Sequence, residues 1–64
     1  MDFEPTLFYI LACIYSRKNE TVQAVEWLWK AIVLDKSFID KSKTESAFDN
    51  IRESPEFQQL INSQ

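Results

Sequence analysis

The chain contains 64 residues but no glycine, no histidine, only two prolines and a single cysteine. Glycine is the preferred residue of tight β-hairpin turns, so its absence favours helices over strands. One cysteine excludes a disulfide within the chain, and without histidine no zinc or other transition-metal site is expected. The composition therefore predicts an all-α fold that holds no metal and needs no cofactor.

Basic residues are also scarce. Seven Lys and Arg oppose ten Asp and Glu, which gives a net charge of −3, whereas nucleic-acid binding needs a basic face. Enzymatic motifs are missing as well: there is no histidine base, no glycine-rich phosphate loop and no serine in a nucleophile elbow. We expect neither a nucleic-acid partner nor catalysis, and we interpret carboxylate pairs such as Asp35 and Asp40 as solvated surface charge. Asp49 and Arg52, three positions apart, are expected to form a weak surface ion pair.

Long hydrophobic runs are missing too. The longest, Leu7 to Tyr15, has nine residues, whereas a membrane-spanning helix takes about 20. Asp2 and Glu4 precede this run in place of Lys or Arg, and no small-residue cleavage site follows it, so it does not resemble a signal peptide. We expect a helix buried in the protein, no membrane partner and a cytoplasmic location, with which an unpaired cysteine is compatible.

The residues that are present suit one small helical domain over residues 1–64. Apolar residues make up 45% of the chain and aromatic residues 14%, enough to build a core. Pro5 suits the start of a helix that continues to Arg17, and Asn19 suits a left-handed turn after it. A second helix is predicted from Glu20 or Thr21 to Leu34.

Shorter helices are predicted in the second half. Phe38 to Lys43 forms one, and Thr44 or Ser46 is placed to cap another that extends through Ile51. Ser54, Pro55 and Glu56 form a strong start signal for a last helix to about Ile61, since they supply a hydroxyl cap, a first-turn proline and an acid.

The spacing of apolar and small residues in the two long helices follows a known pattern. The pattern consists of Phe8-x-x-Leu11-Ala12-x-x-Tyr15, then Ala24-x-x-x-Leu28-x-x-Ala31, then Leu34-Asp35-Lys36. It resembles a tetratricopeptide repeat over residues 5–38. The sequence departs from the family pattern at four positions: Phe8 in place of Trp, Ala12 of Gly, Leu28 of an aromatic residue and Lys36 of Pro.

Residues 39–64 are similar to the segment that closes many bacterial tetratricopeptide arrays, through Asn50-Ile51-Arg52 and Pro55-x-Phe57. The resemblance implies a cap on the end of a helical stack. No second repeat is found 34 residues further on, although such repeats usually need about three copies for stability. The expected function is a protein–protein interaction or scaffolding module that self-associates. The alternative is a purely structural cap of a longer array, with no binding site of its own.

Two groups of residues are the candidate interface. Val22, Trp29 and Val33 lie on the side of the second helix away from its predicted core. Either the C-terminal helices fold over them, or they contact another protein, most simply a second copy of the chain. Tryptophan is a favoured interface anchor.

The second group is Tyr9, Cys13 and Arg17, on the side of the first helix that lines the concave groove in tetratricopeptide stacks. Either this side packs against a preceding or partner helix, or it binds a peptide. The family's carboxylate clamp uses Lys and Asn where this chain has Tyr9 and Cys13, so a clamp is not supported. Cys13 has no activating base nearby in sequence and is interpreted as a small buried apolar residue.

Overall fold

The computed structural model describes residues 4–62, so the ends of the predicted 1–64 domain, residues 1–3 and 63–64, lie outside it. The helices are α1 (Glu4–Arg17), α2 (Thr21–Leu34), α3 (Ser37–Thr44), a 3-10 helix (Ser46–Phe48) and α4 (Pro55–Asn62). No strand occurs between residues 4 and 62. The prediction of an all-α fold, a long helical hairpin followed by two or three short helices, is confirmed.

The turn between α1 and α2 is set by one residue. Asn19 has a φ of 62°, in the left-handed region that asparagine tolerates better than most residues. Its amide donates to the Ser16 carbonyl at 2.9 Å, and the Glu20 amide donates to the Tyr15 carbonyl at 3.0 Å. This pair of bonds is the Schellman motif, which satisfies the last carbonyls of α1 and reverses the chain.

Small residues bring the two long helices together. Ala12, Ala24 and Ala31 are completely buried, as is Leu28 between them. Their size lets the helix backbones approach closely, so α1 and α2 pack along their length as an antiparallel pair. The C-terminal segment lies across one side of this hairpin and adds the remaining large core residues, which are Phe38, Phe48, Ile51, Phe57 and Leu60.

A helix was predicted from Thr44 or Ser46 through Ile51. The extent of this prediction was wrong, because only a 3-10 turn over Ser46–Phe48 forms. An α-helix would need the Ala47 carbonyl to accept from the Ile51 amide. That carbonyl instead accepts from the Ser16 hydroxyl at 2.6 Å, and the Ile51 amide donates to the Phe48 carbonyl at 3.0 Å. A tertiary hydrogen bond thus replaces the helical one.

The start of α4 is as predicted. Ser54 Oγ accepts from the Phe57 amide at 3.2 Å, and Pro55 is the first helical residue.

Candidate protein interface

The predicted stripe on α2, which consists of Val22, Trp29 and Val33, is exposed. The exposed fractions of the three residues are 57%, 50% and 59%. The hairpin's C-terminal cover uses another side of α2, where Ile32 is buried and Val25 packs against the core. Of the two alternatives for this stripe, the structure therefore excludes the one in which α3 and α4 fold over it.

The predicted α1 group is divided by the structure. Tyr9 is part of the interior: its ring stacks on Phe38 with centroids 4.8 Å apart and meets Phe48 edge-on at 5.6 Å. Cys13 is partly buried beside it, and only Arg17 is exposed. The chain's own C-terminal segment covers this side, an arrangement that neither the helix-packing nor the peptide-binding alternative included.

Burial explains the electrostatics of that contact. The Tyr9 hydroxyl is buried near the Glu45 carboxylate but outside hydrogen-bonding geometry. Loss of solvent, and then the neighbouring Cys13 and Glu45, raise the pKa of Tyr9 far above its usual value. Burial is also the main cause that raises the pKa of the Cys13 thiol, with Glu45 adding to it. Cys13 is accordingly a protonated, weakly reactive thiol at neutral pH.

A third surface contradicts the expectation that the helix over Leu7 to Tyr15 is buried, since only Ala12 and Ser16 of α1 are buried. Leu7, Ile10 and Ile14 form a stripe along the side of α1 that faces away from buried Ala12 and Ser16, and each is about half exposed, at 51%, 49% and 48%. The signal for it was present, since Leu7 to Tyr15 is apolar on every side of the helix. Because apolar residues occur on every side, no periodicity in the sequence indicates which side of α1 remains uncovered.

Arg52 has a structural role beyond the surface ion pair that its spacing from Asp49 predicts. The predicted pair with Asp49 is present at 2.9 Å. The same guanidinium also donates to the carbonyls of Ser42 at 3.1 Å, Lys43 and Glu45 at 2.6 Å. These are orphan carbonyls at and just beyond the end of α3, so Arg52 caps that helix and fixes the loop that follows it.

Neither metal chemistry nor a membrane span is visible in this part of the chain. Among residues 4–62 there is no group of three or more Cys, Asp or Glu side chains that could hold a metal ion. Over the same residues, no helix combines the length and the apolar character needed to cross a bilayer. The large apolar residues that are exposed in this part of the chain are those of the two stripes and Leu34.

Comparison of the chain with protein-family models, with curated proteins and with solved structures found no match. The resemblance to a tetratricopeptide repeat stays a prediction that rests on the residues quoted above.

Proposed function

We propose that the chain is a protein–protein interaction module that self-associates. The observation that carries this proposal is the pair of apolar stripes: Leu7, Ile10 and Ile14 on α1, and Val22, Trp29 and Val33 on α2. All six residues are between 48% and 59% exposed. Large apolar side chains exposed together along one helix face are a feature of protein interaction sites.

Energetics favour a partner. A domain of this size buries only about 60% of the surface of its unfolded chain and is therefore marginally stable on its own. Complete burial of a Val, Leu or Ile side chain contributes about 1.5–3 kcal/mol, so covering three half-exposed side chains adds a substantial part of the stability of such a domain. Small folds without disulfides or metals commonly gain this stability by oligomerising.

The resemblance of residues 5–38 to a tetratricopeptide repeat supports the same proposal, because repeats of that family present helix faces to neighbouring units. The similarity of the C-terminal segment to the ends of bacterial arrays supports a bacterial origin. We also propose a cytoplasmic location, in keeping with the single unpaired cysteine. Partners are proteins, as a second copy, another repeat unit or a peptide.

A second candidate is the structural cap of a longer array, without a binding site of its own. It is favoured by one observation: the C-terminal segment covers one side of the hairpin, through Phe38 and Phe48 against Tyr9, while the outer side of α1 stays apolar and uncovered.

The test is the solution mass of the chain by light scattering after gel filtration, over a dilution series. We expect a mass above the 7.6 kDa of the monomer that falls towards it on dilution. The variant Ile10→Glu/Trp29→Glu, which charges both stripes, should be monomeric. Gln23→Glu adds one negative charge at an exposed polar position of α2, outside both stripes, and should associate like the wild type.

A wild-type chain that stays at the monomer mass at every concentration contradicts self-association. If such a monomer also unfolds with poor thermal cooperativity, the structural-cap alternative gains. If it unfolds cooperatively, the chain is stable without a partner, and the exposed stripes either bind a different protein or have no partner.

A further inference from the structure

Helices α2 and α3 are separated by a single residue with a non-helical backbone. Asp35 has a φ of −154° and a ψ of 105°, whereas Lys36 after it already has helical angles of −66° and −15°. The Asp35 amide still donates to the Ala31 carbonyl at 2.9 Å, as it would in a continuing helix. No proline or glycine lies between residues 6 and 54, so no helix-breaking residue enforces the bend. One backbone conformation therefore divides the two helices.

The buried residues of α2 and α3 are in phase across this break. Five residues that are at most 4% exposed are spaced four, three, seven and four positions apart: Ala24, Leu28, Ala31, Phe38 and Ser42. Positions separated by three, four or seven residues share one face of an α-helix. Asp35 is the position of this stripe between Ala31 and Phe38, and it alone is charged. Residues 21–44 can therefore form one continuous helix that keeps its buried residues on a single side.

Asp35 itself holds the bent form. Its Oδ1 accepts from the amide of Ser37, the first residue of α3, at 3.0 Å, and its carbonyl accepts from the Phe38 amide at 3.2 Å. In a continuous helix these two amides would donate to the carbonyls of Val33 and Leu34. Residues 33–37 are all exposed, so no side chain of this stretch has to leave the core when the backbone straightens.

We propose that Asp35 is the hinge of a segment exchange between two copies of the chain. When residue 35 becomes helical, residues 37–62 leave their own hairpin and cover the hairpin of a second copy, whose segment covers the first hairpin in return. A second copy is the partner that this surface fits, because its segment supplies the contacts that form within one chain in the closed state. These contacts are the Tyr9 ring on Phe38 and Phe48 and the Ser16 hydroxyl on the Ala47 carbonyl. Exchange of an identical element is a low-cost route to a dimer.

This inference goes beyond the proposed function, because the exchange uses the inner surface of the hairpin and leaves both exposed stripes free. The two kinds of association also differ in how they reverse. A dimer held by exposed stripes dissociates when the chain is diluted, whereas an exchanged dimer first has to break the core contacts of its C-terminal segments. Chains folded at low concentration are accordingly closed, and the exchanged dimer forms on refolding at high concentration.

The test uses the Ile10→Glu/Trp29→Glu background, so that the stripes do not contribute, and measures mass by light scattering after refolding at high and at low concentration. Asp35→Ala removes the acceptor for the Ser37 amide and favours a helix. It should give a dimer that persists after dilution, with a Kd at least about tenfold lower than that of Asp35→Asn, since the two closed monomers lose two caps. Asp35→Asn is the matched control because asparagine retains the Oδ1 acceptor.

Lys36→Pro locks the bent form. Proline fixes φ near −65°, which Lys36 already has, and favours an extended residue before it. It cannot donate to the Ile32 carbonyl, as residue 36 would in a continuous helix. Asp35→Ala/Lys36→Pro should therefore stay monomeric at every refolding concentration and unfold cooperatively.

Three results overturn the exchange. They are an Asp35→Ala chain that stays monomeric, a dimer that survives Lys36→Pro, and a dimer that dissociates at once on dilution. Each of them leaves the proposed function standing, because self-association through the stripes is judged from the wild type and the Ile10→Glu/Trp29→Glu variant with the hinge unchanged.

Discussion

Replacement of Ser16 by alanine tests the central claim about how the C-terminal segment is held. Ser16 is completely buried, and its hydroxyl donates to the carbonyl of Ala47, 31 positions along the chain, at 2.6 Å. The backbone carbonyl of Ser16 also accepts from Asn50 Nδ2 at 3.3 Å, so α1 is tied to the 3-10 turn by a small network. Ser16→Ala removes the shorter of these bonds and leaves the Ala47 carbonyl buried without this donor.

The expected cost follows from that geometry. A buried carbonyl that has lost its hydrogen-bond donor lowers the free energy of unfolding by about 1–3 kcal/mol. Alanine offsets a few tenths of a kcal/mol of this cost through its better helix propensity, since Ser16 lies in the last turn of α1. We expect a net loss of about 0.5–2.5 kcal/mol, from a domain whose total stability is on the order of 3–10 kcal/mol. The midpoint of thermal unfolding should fall by about 3–15 °C.

The assay is denaturant unfolding followed by circular dichroism, with the wild type and variants at one fixed concentration because association shifts apparent stability. Ser46→Ala, at an exposed position of the same segment, is the control. A Ser16→Ala variant within about 0.3 kcal/mol of this control would refute the assignment of the Ser16–Ala47 bond as the connection that replaces the helix predicted there.

Three further predictions concern other parts of the fold. Arg52→Ala should cost about 1–3 kcal/mol in denaturant unfolding and Arg52→Lys nearly as much, because a lysine cannot reach several carbonyls at once; full stability of the lysine variant would contradict the capping role. The raised pKa of Tyr9 favours its neutral form in the folded state, so the free energy of unfolding should fall as the pH rises above the unfolded pKa of about 10. In a Cys13→Ala background, Tyr9→Phe should make this fall smaller. An alkaline stability profile that Tyr9→Phe leaves unchanged would contradict the burial of the Tyr9 hydroxyl. Asn19→Gly should raise thermal stability by a few tenths of a kcal/mol, since glycine adopts a φ of 62° without steric cost, and a loss would count against the Schellman turn.

Much of the hairpin could be predicted because its signals are local. The second helix was predicted from Glu20 or Thr21 to Leu34 and is found at Thr21–Leu34, and α1 ends at Arg17 as expected. Asn19 and Ser54 act within a few residues of their own positions, one through its left-handed backbone and the other through its hydroxyl. Propensity and capping are properties of short segments, so a sequence window contains all the information they need.

Contacts between distant segments could not be predicted in the same way. The helix expected through Ile51 is absent because Ser16 takes the Ala47 carbonyl, and nothing near Ala47 in sequence signals that partner. The same holds for Arg52, whose i,i+3 partner Asp49 was visible in the sequence while its contacts with the end of α3 were not.

The same distinction between local signals and contacts of distant segments applies to the candidate interface. The sequence by itself determined that the chain is helical, that a hairpin turns at Asn19, and that the run from Leu7 to Tyr15 is apolar on every side of its helix. Only the tertiary structure decided which surface remains accessible. The aromatic contacts of Tyr9 with Phe38 and Phe48 fix the C-terminal segment on one side of α1, and so leave Leu7, Ile10 and Ile14 exposed on the other. That choice depends on packing between residues some 30 to 40 positions apart, which the helical periodicity of α1 does not contain.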